Sequence, residues 1–303
     1  MIGYAHPLYA QSLTEFGEPL ELAGSGTWLL AKPVPQSACR DGMSCYPLFC
    51  CGDWSKLPGD LDALAERLLT ISIVLDPFAP LSPQDLGRCF NIVKPFKQHF
   101  VIDLDDTVER HISKHHRYYA RKALQQVRVE MAVEPASHLD EWFSFYSRLV
   151  ERHKLRGIKA FSRHAFAVQL RVPGLIMFRA FIGEQAVGAH LWFIQNGVAY
   201  SHLAAYSEEG YGLGAAYALY WEAIRKFQSE MRDLVRWIDL GAGAGASPVE
   251  TNGLTQFKSG WSKTTRTKYF CGRICNSAAY ANINWAAGVS DTGYFPAYRV
   301  GEF

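Results

Sequence analysis

The residues best suited to chemistry lie between Val198 and Trp261. Val198 to Tyr206 (VAYSHLAAY) is an apolar, aromatic-rich run of strand length, and Ala215 to Phe227 is helix-forming without a breaker. Gly210, Tyr211, Gly212, Leu213, Gly214 and Ala215 fill the junction between them. A strand, a glycine-rich loop and a helix N-terminus together cradle an anion, because unpaired amides and the helix dipole point at one spot. A phosphate-bearing co-substrate suits such a cradle. His202, in the preceding strand, has an ordinary pKa of about 6.5, matched to proton transfer near neutrality. His190, on the neighbouring strand, could face the same side. Asp239 sits in the expected strand Leu234 to Leu240, just before Gly241-Ala242-Gly243-Ala244-Gly245. It is a candidate for orienting an amine, and Tyr206 and Tyr211 are candidate proton donors to a leaving group. Each has a plain alternative: a hydrogen-bonded core histidine, a loop-holding aspartate, a packed tyrosine.

A second group is cationic. Val108 to Gln126 reads as one helix, and no acidic residue stands between Glu109 and Glu130. Lys114, Arg117 and Arg121 recur at three- and four-residue steps and share a face, with Lys122 beside them. Such a face is either simply solvated or a receiver of phosphates from a carrier, a nucleotide-linked acceptor or a tRNA end.

The elements that must position these residues alternate. Leu20 to Leu22, Thr27 to Ala31 and Tyr46 to Cys51 read as short strands. Asp60 to Thr70 reads as a helix capped by Asp60, Ile71 to Leu75 as a buried strand, Pro83 to Phe90 as a helix and His99 to Leu104 as a strand. Beyond the basic helix come a strand at Val127 to Val133 and helices at Leu139 to His153 and Arg163 to Arg171. Three meandering strands follow, Leu175 to Ile182, Ala186 to Ile194 and Val198 to Tyr206, the last two joined at Asn196-Gly197. Lys268 to Ile274 reads as a final strand. The class is α/β with a mixed sheet. The expected domains are 1–135, which includes the basic helix 108–126, and 136–303.

Three segments carry a resemblance. Gly212-Leu213-Gly214 looks like the end of the acyl-CoA loop of the GNAT acyltransferases, although Glu209 stands where that loop has Gln or Arg. Gly253 to Trp261 (GLTQFKSGW) resembles the Phe-Lys segment of Fem-type transferases, and His111 to Ala123 resembles the basic helix joining their halves. The resemblance implies two tandem GNAT-like domains, the first degenerate and the second complete and catalytic. It implies N-acyl transfer from acyl-CoA to an amine by direct attack. The alternatives are aminoacyl transfer from aminoacyl-tRNA and a non-catalytic binding module. Lys258 would point into the cleft and steady a phosphate, a carboxylate or the developing oxyanion. The acceptor would be a small molecule or a cell-envelope precursor bearing an amine.

Composition narrows the rest. With 49% apolar and 20% charged residues, the 303-residue chain can build a large core. A net charge of +2 makes no global case for DNA, so an anion partner must meet a local patch. No run reaches the roughly 20 apolar residues of a membrane-spanning helix, and the N-terminus lacks a secretory pattern. A cytoplasmic location is therefore expected. The seven cysteines lack paired spacing, so reduced thiols are expected, with no metal site.

Overall fold

A computed structural model describes residues 1–243, 253–289 and 292–302. Its centre is a mixed sheet of eleven strands, β1 (Glu18–Leu22), β2 (Thr27–Pro33), β3 (Arg40–Ser44), β4 (Thr70–Val74), β5 (Ile92–Asp103), β6 (Arg128–Met131), β7 (Leu175–Ile182), β8 (Gln185–Gln195), β9 (Val198–Tyr206), β10 (Trp237–Gly241) and β11 (Thr265–Ile274). The helices are α1 (Pro7–Gln11), α2 (Leu57–Leu64), α3 (Pro83–Cys89), α4 (Val108–His111), α5 (Lys114–Ala123), α6 (Leu139–His153), α7 (Arg163–Gln169), α8 (Glu208–Gly212), α9 (Ala215–Ser229), α10 (Gly253–Trp261) and α11 (Ser277–Ala286).

The spatial order is β1-β2-β3-β4-β11-β5-β10-β9-β8-β7-β6. It is symmetric about the antiparallel β11–β5 pair. Outward on one side β11 meets β4 antiparallel and β4 meets β3 in parallel; on the other, β5 meets β10 antiparallel and β10 meets β9 in parallel. A parallel neighbour needs a crossover. The segment holding α2 supplies it between β3 and β4, and α8 with α9 between β9 and β10. The middle pair is exchanged: β5 joins the strands of the later half, and β11, late in sequence, joins β4 of the earlier half. Elements from both ends of the chain therefore meet at the sheet centre.

Two apolar clusters line the later half. One joins α1, α6 and α7 to the sheet around Tyr9, Trp142, Phe166 and Phe193. The other packs α5, α9 and α10 on the opposite face around Ala120, Trp192, Phe227 and Trp261. A third cluster packs α2 and α3 on the earlier half.

Several expectations change. The helix expected over 108–126 breaks at Ile112-Ser113. Ser113 is extended, its hydroxyl accepts from the His116 amide to cap α5, and its own amide donates to the Gly260 carbonyl. Both α5 and β6 lie with later elements, since β6 pairs with β7 and α5 packs on α9 and α10. Asp60 caps no helix; α2 starts three residues earlier, and the Asp60 carboxylate instead accepts from the Ser25 amide and hydroxyl at 2.6 Å each. The strand expected at Tyr46 to Cys51 is a single bridge, Phe49 to Leu75. Periodicity did not reveal α1, β3 or α11. The expected loop Ser207 to Gly214 contains α8, and Ala244 and Gly245 of the second glycine run lie outside the described residues.

Candidate active site

The β9–β10 ladder is short. Trp237 pairs with Val198, Ile238 with Ala199 and Asp239 with Tyr200; β9 then runs on to Tyr206 bonded to β8 alone. Among the described residues the β9–β10 ladder ends at Tyr200 and Asp239, where the two halves of the sheet meet. β9 also bulges here. Leu203 opposes Leu191 and Ser201 opposes Trp192, leaving His202 as the extra residue. Bulges recur beside active sites because they re-aim a side chain and free ladder groups.

Asp239 is buried at the end of this ladder. His99 Nδ1, on β5, lies 2.8 and 2.9 Å from its two oxygens, and the Gly241 amide donates to Oδ1 at 2.7 Å. Burial alone would raise the Asp239 pKa, but His99, the amide and Lys258 together hold it below the ordinary carboxylate value. Burial lowers that of His99 despite the carboxylate. The pair is therefore a carboxylate accepting Nδ1–H from a neutral imidazole. His99 was invisible in the sequence: it stands 140 positions from Asp239 with no motif around it.

Lys258 reaches the same end of β10 from α10, where its Nζ donates to the Ala242 carbonyl at 2.7 Å. Burial brings its pKa down to about 8, against the pull of Asp239. Lys268 on β11, also missed, is buried with Nζ donating to the Pro47 carbonyl at 3.0 Å, and burial takes its pKa to about 8 as well. Asp76, just past β4, accepts from the Tyr200 hydroxyl at 2.9 Å, and burial lifts its pKa to about 6. Tyr200 thus ties the carboxylate of one half to the strand that pairs with Asp239 in the other. Lysines poised near pH 8 beside a fixed carboxylate can donate or accept a proton near neutrality.

The remaining expected site residues divide. His202 is half-buried among the rings of Tyr4, Tyr9, Phe161 and Phe193; the Tyr4 hydroxyl lies 3.1 Å from its Nδ1, and burial depresses its pKa to about 3. His190 is fully buried, with Nε2 2.9 Å from the Ser201 hydroxyl. Tyr206 is buried against Tyr211, with ring centroids 5.1 Å apart, and burial raises its pKa.

The glycine junction is closed. The Gly210 amide donates to the Ser207 hydroxyl at 3.0 Å, and the Tyr211, Leu213 and Gly214 amides donate to the Ser207, Glu209 and Tyr211 carbonyls. α8 thereby spends donors that the sequence suggested were free. Gly210 is the residue that permits it, because a Cβ there would run into the Val187 carbonyl. Gly214 adopts the left-handed conformation at the N-cap of α9, and Leu213 and Ala215 flank it. Arg152 lies over the Tyr211 ring at 4.3 Å and pairs with Glu208 at 3.2 Å, latching α8 to α6. Gly212 has open space around it. Lys114, Arg121 and Lys122 are exposed on α5, and Arg117 is half-buried.

Residues 110–258 match the family described as acetyltransferase (GNAT) domain. The chain has a Fem-like GNAT fold. Among solved structures it is similar to FemX (14% identity, 91% of this chain and 93% of that one, TM-score 0.66). It is also similar to the C-terminal domain of a putative lysylphosphatidylglycerol synthetase from Agrobacterium fabrum (13%, 94% and 93%, TM-score 0.64). A third match is L-PGS from Bacillus licheniformis (15%, 93% and 96%, TM-score 0.59). No curated protein matches the chain. In this Fem-like GNAT fold the end of the β9–β10 ladder, the Asp239–His99 pair and Lys258 meet at one place. Among the described residues no helix is long and apolar enough to cross a membrane.

Proposed function

We propose that this chain is an aminoacyl transferase, moving an amino acid from an RNA-borne ester to an amine. The observation that carries the choice of donor is the closed junction between β9 and α9. Four amides of this segment, those of Gly210, Tyr211, Leu213 and Gly214, are already bonded within Ser207 to Gly214, and Glu208 and Glu209 occupy the first turn of α8. Carboxylates there repel a polyphosphate. The likeness in fold to FemX and to lysylphosphatidylglycerol synthetases agrees with this donor.

In this reading the acceptor amine attacks the ester carbonyl beyond Asp239. A carbon–nitrogen bond forms, the carbon–oxygen bond to the carrier breaks, and one proton moves from the attacking nitrogen to the departing oxygen. Asp239, fixed by His99 and the Gly241 amide, orients the acceptor nitrogen. Lys258 as ammonium steadies the developing oxyanion, and as free amine it takes the proton and returns it. His202 and Tyr206 are assigned packing roles.

The GNAT family match over 110–258 and the left-handed Gly214 opening α9 favour a second reading, in which the donor is acyl-CoA held at Gly210 to Ala215. The test is transfer of label to an amine mixture from total tRNA charged with radioactive amino acids, beside labelled acetyl-CoA. Transfer from the charged tRNA, abolished in Lys258→Ala, is expected. Transfer from acetyl-CoA alone overturns the proposal.

A further inference from the structure

The sheet ends on β6, which pairs with β7 and, among the described residues, with no other strand. The Ala132 amide donates to the Met177 carbonyl at 2.8 Å, which extends the β6–β7 register by one residue. In an antiparallel ladder only alternate residues bond to a given neighbour. Arg128, Glu130 and Ala132 therefore turn their peptide groups toward β7, and Val129, Met131 and Val133 turn theirs to the open edge. Such an edge is a template for another strand unless proline, charge or a covering element blunts it. No proline stands in this segment before Pro135.

Side chains alternate along the same segment. Val129 and Met131 line a surface cavity of about 340 Å³ between this edge and α9, opposite Arg225 and Lys226. Met131 is 39% exposed and Val133 fully exposed, and alternation sets Val133 on the same side. One face of the open edge is thus a row of three apolar side chains. The other face is charged. Glu130 is shared by Arg128 at 2.8 Å and Arg179 at 3.0 Å, and Arg179 also holds Glu141 at 2.8 Å. Glu134 is exposed and forms no ion pair among the described residues. The edge therefore carries an arginine that shares its carboxylate and a carboxylate that has no arginine.

We infer that β6 pairs antiparallel with β6 of a second copy of this chain, about a two-fold axis at Met131. The ladder forms only in registers that set outward residues against outward residues. A centre at Val129 would need Val127 as a pairing residue, but its amide is bonded to the Ala123 carbonyl at the end of α5. A centre at Glu130 sets that carboxylate against its own copy, and like charges directly opposite resist pairing. A centre at Met131 has neither fault. It sets Val129 opposite the partner's Val133, Met131 opposite the partner's Met131 and Arg128 opposite the partner's Glu134. The apolar row meets itself, and the two-fold axis makes the Arg–Glu match twice. Agreement of both faces in one register selects a second copy over a strand of unrelated sequence. The inference stands apart from the transfer reaction and needs neither donor.

The test is sedimentation equilibrium of the full chain over a wide range of concentration, with circular dichroism to verify that each variant is folded. A mass rising from one chain to two is expected. Met131→Pro removes an amide that β7 does not use, and proline is tolerated on an edge strand. Because both copies lose that hydrogen bond, the dissociation constant should rise roughly five- to a hundredfold. Arg128→Glu and Glu134→Arg exchange the sign of exposed side chains. Each alone should weaken association roughly two- to thirtyfold, since two cross-strand pairs are lost together. Mixed in equal amounts, these two variants should regain the dimer, because a glutamate then faces an arginine at both ends of the ladder. A single-chain mass at every concentration overturns the inference, and so does a dimer that Met131→Pro leaves intact. A mixture that associates no better than its components overturns it too.

Discussion

His99 reaches Asp239 diagonally across the β5–β10 ladder, in which Asp239 pairs with Val101, with Nδ1 2.8 and 2.9 Å from the two carboxylate oxygens and both residues buried. β5 comes from the first third of the chain and is exchanged into the later half, so this contact also fastens the exchange. The carboxylate has two anchors, His99 and the Gly241 amide, and together they fix its orientation at the end of β10.

Removing one partner of such a pair leaves a buried charge exposed to an apolar surround. His99→Ala should therefore lower unfolding free energy by about 3 kcal/mol, read from urea denaturation. Asp239→Asn, which retains shape and an acceptor for Gly241, should cost less. In the wild type both groups have folded-state pKa values below their ordinary ones. The unfolded chain then binds more protons than the folded one in acid, so stability falls as pH drops below about 6.5 and on through the carboxylate range. A flat profile over that window would contradict the assignment of a neutral His99 and an ionised Asp239.

Lys258 should impose a pH dependence on transfer. Burial sets its pKa near about 8. If its free amine accepts the proton in the rate-determining step, the rate rises with pH and levels off above that value. Lys258→Ala should lower the rate by about two to four orders of magnitude, the usual worth of a positioned acid or base. Lys258→Arg stays cationic at all these pH values. An active Arg variant without the rise near pH 8 would assign Lys258 to oxyanion stabilisation alone.

The closed junction makes a separate prediction. Gly210→Ala must push its Cβ against the Val187 carbonyl, and backbone gives way at greater cost than a flexible side chain. A loss of about 1–3 kcal/mol is expected, by thermal or urea unfolding. Arg152→Ala, which frees α8 from α6, breaks an exposed pair and should cost less than about 1 kcal/mol. A harmless Gly210→Ala would mean that α8 is not packed as described.

Local pattern settled much of this molecule. The strand Val198 to Tyr206, the helix Leu139 to His153 and the Asn196-Gly197 hairpin follow from periodicity and turn chemistry, and the structure has them at the same residues. The Fem-like GNAT fold was legible for the same reason: ordered motifs sit on strongly patterned elements. The sequence also put forward Asp239, which precedes a glycine-rich run, and Lys258, through the resemblance of its Phe-Lys segment. Tertiary structure decided the rest. Only the exchange of β5 and β11 brings His99 and Lys268 near Asp239, and no local signal encodes a partner 140 positions away. Only packing shows that His202 is enclosed by four rings and that four amides of the glycine junction are already bonded. Hydrogen-bond donors and charges acquire their chemistry from what surrounds them, and those surroundings are assembled from distant parts of the chain.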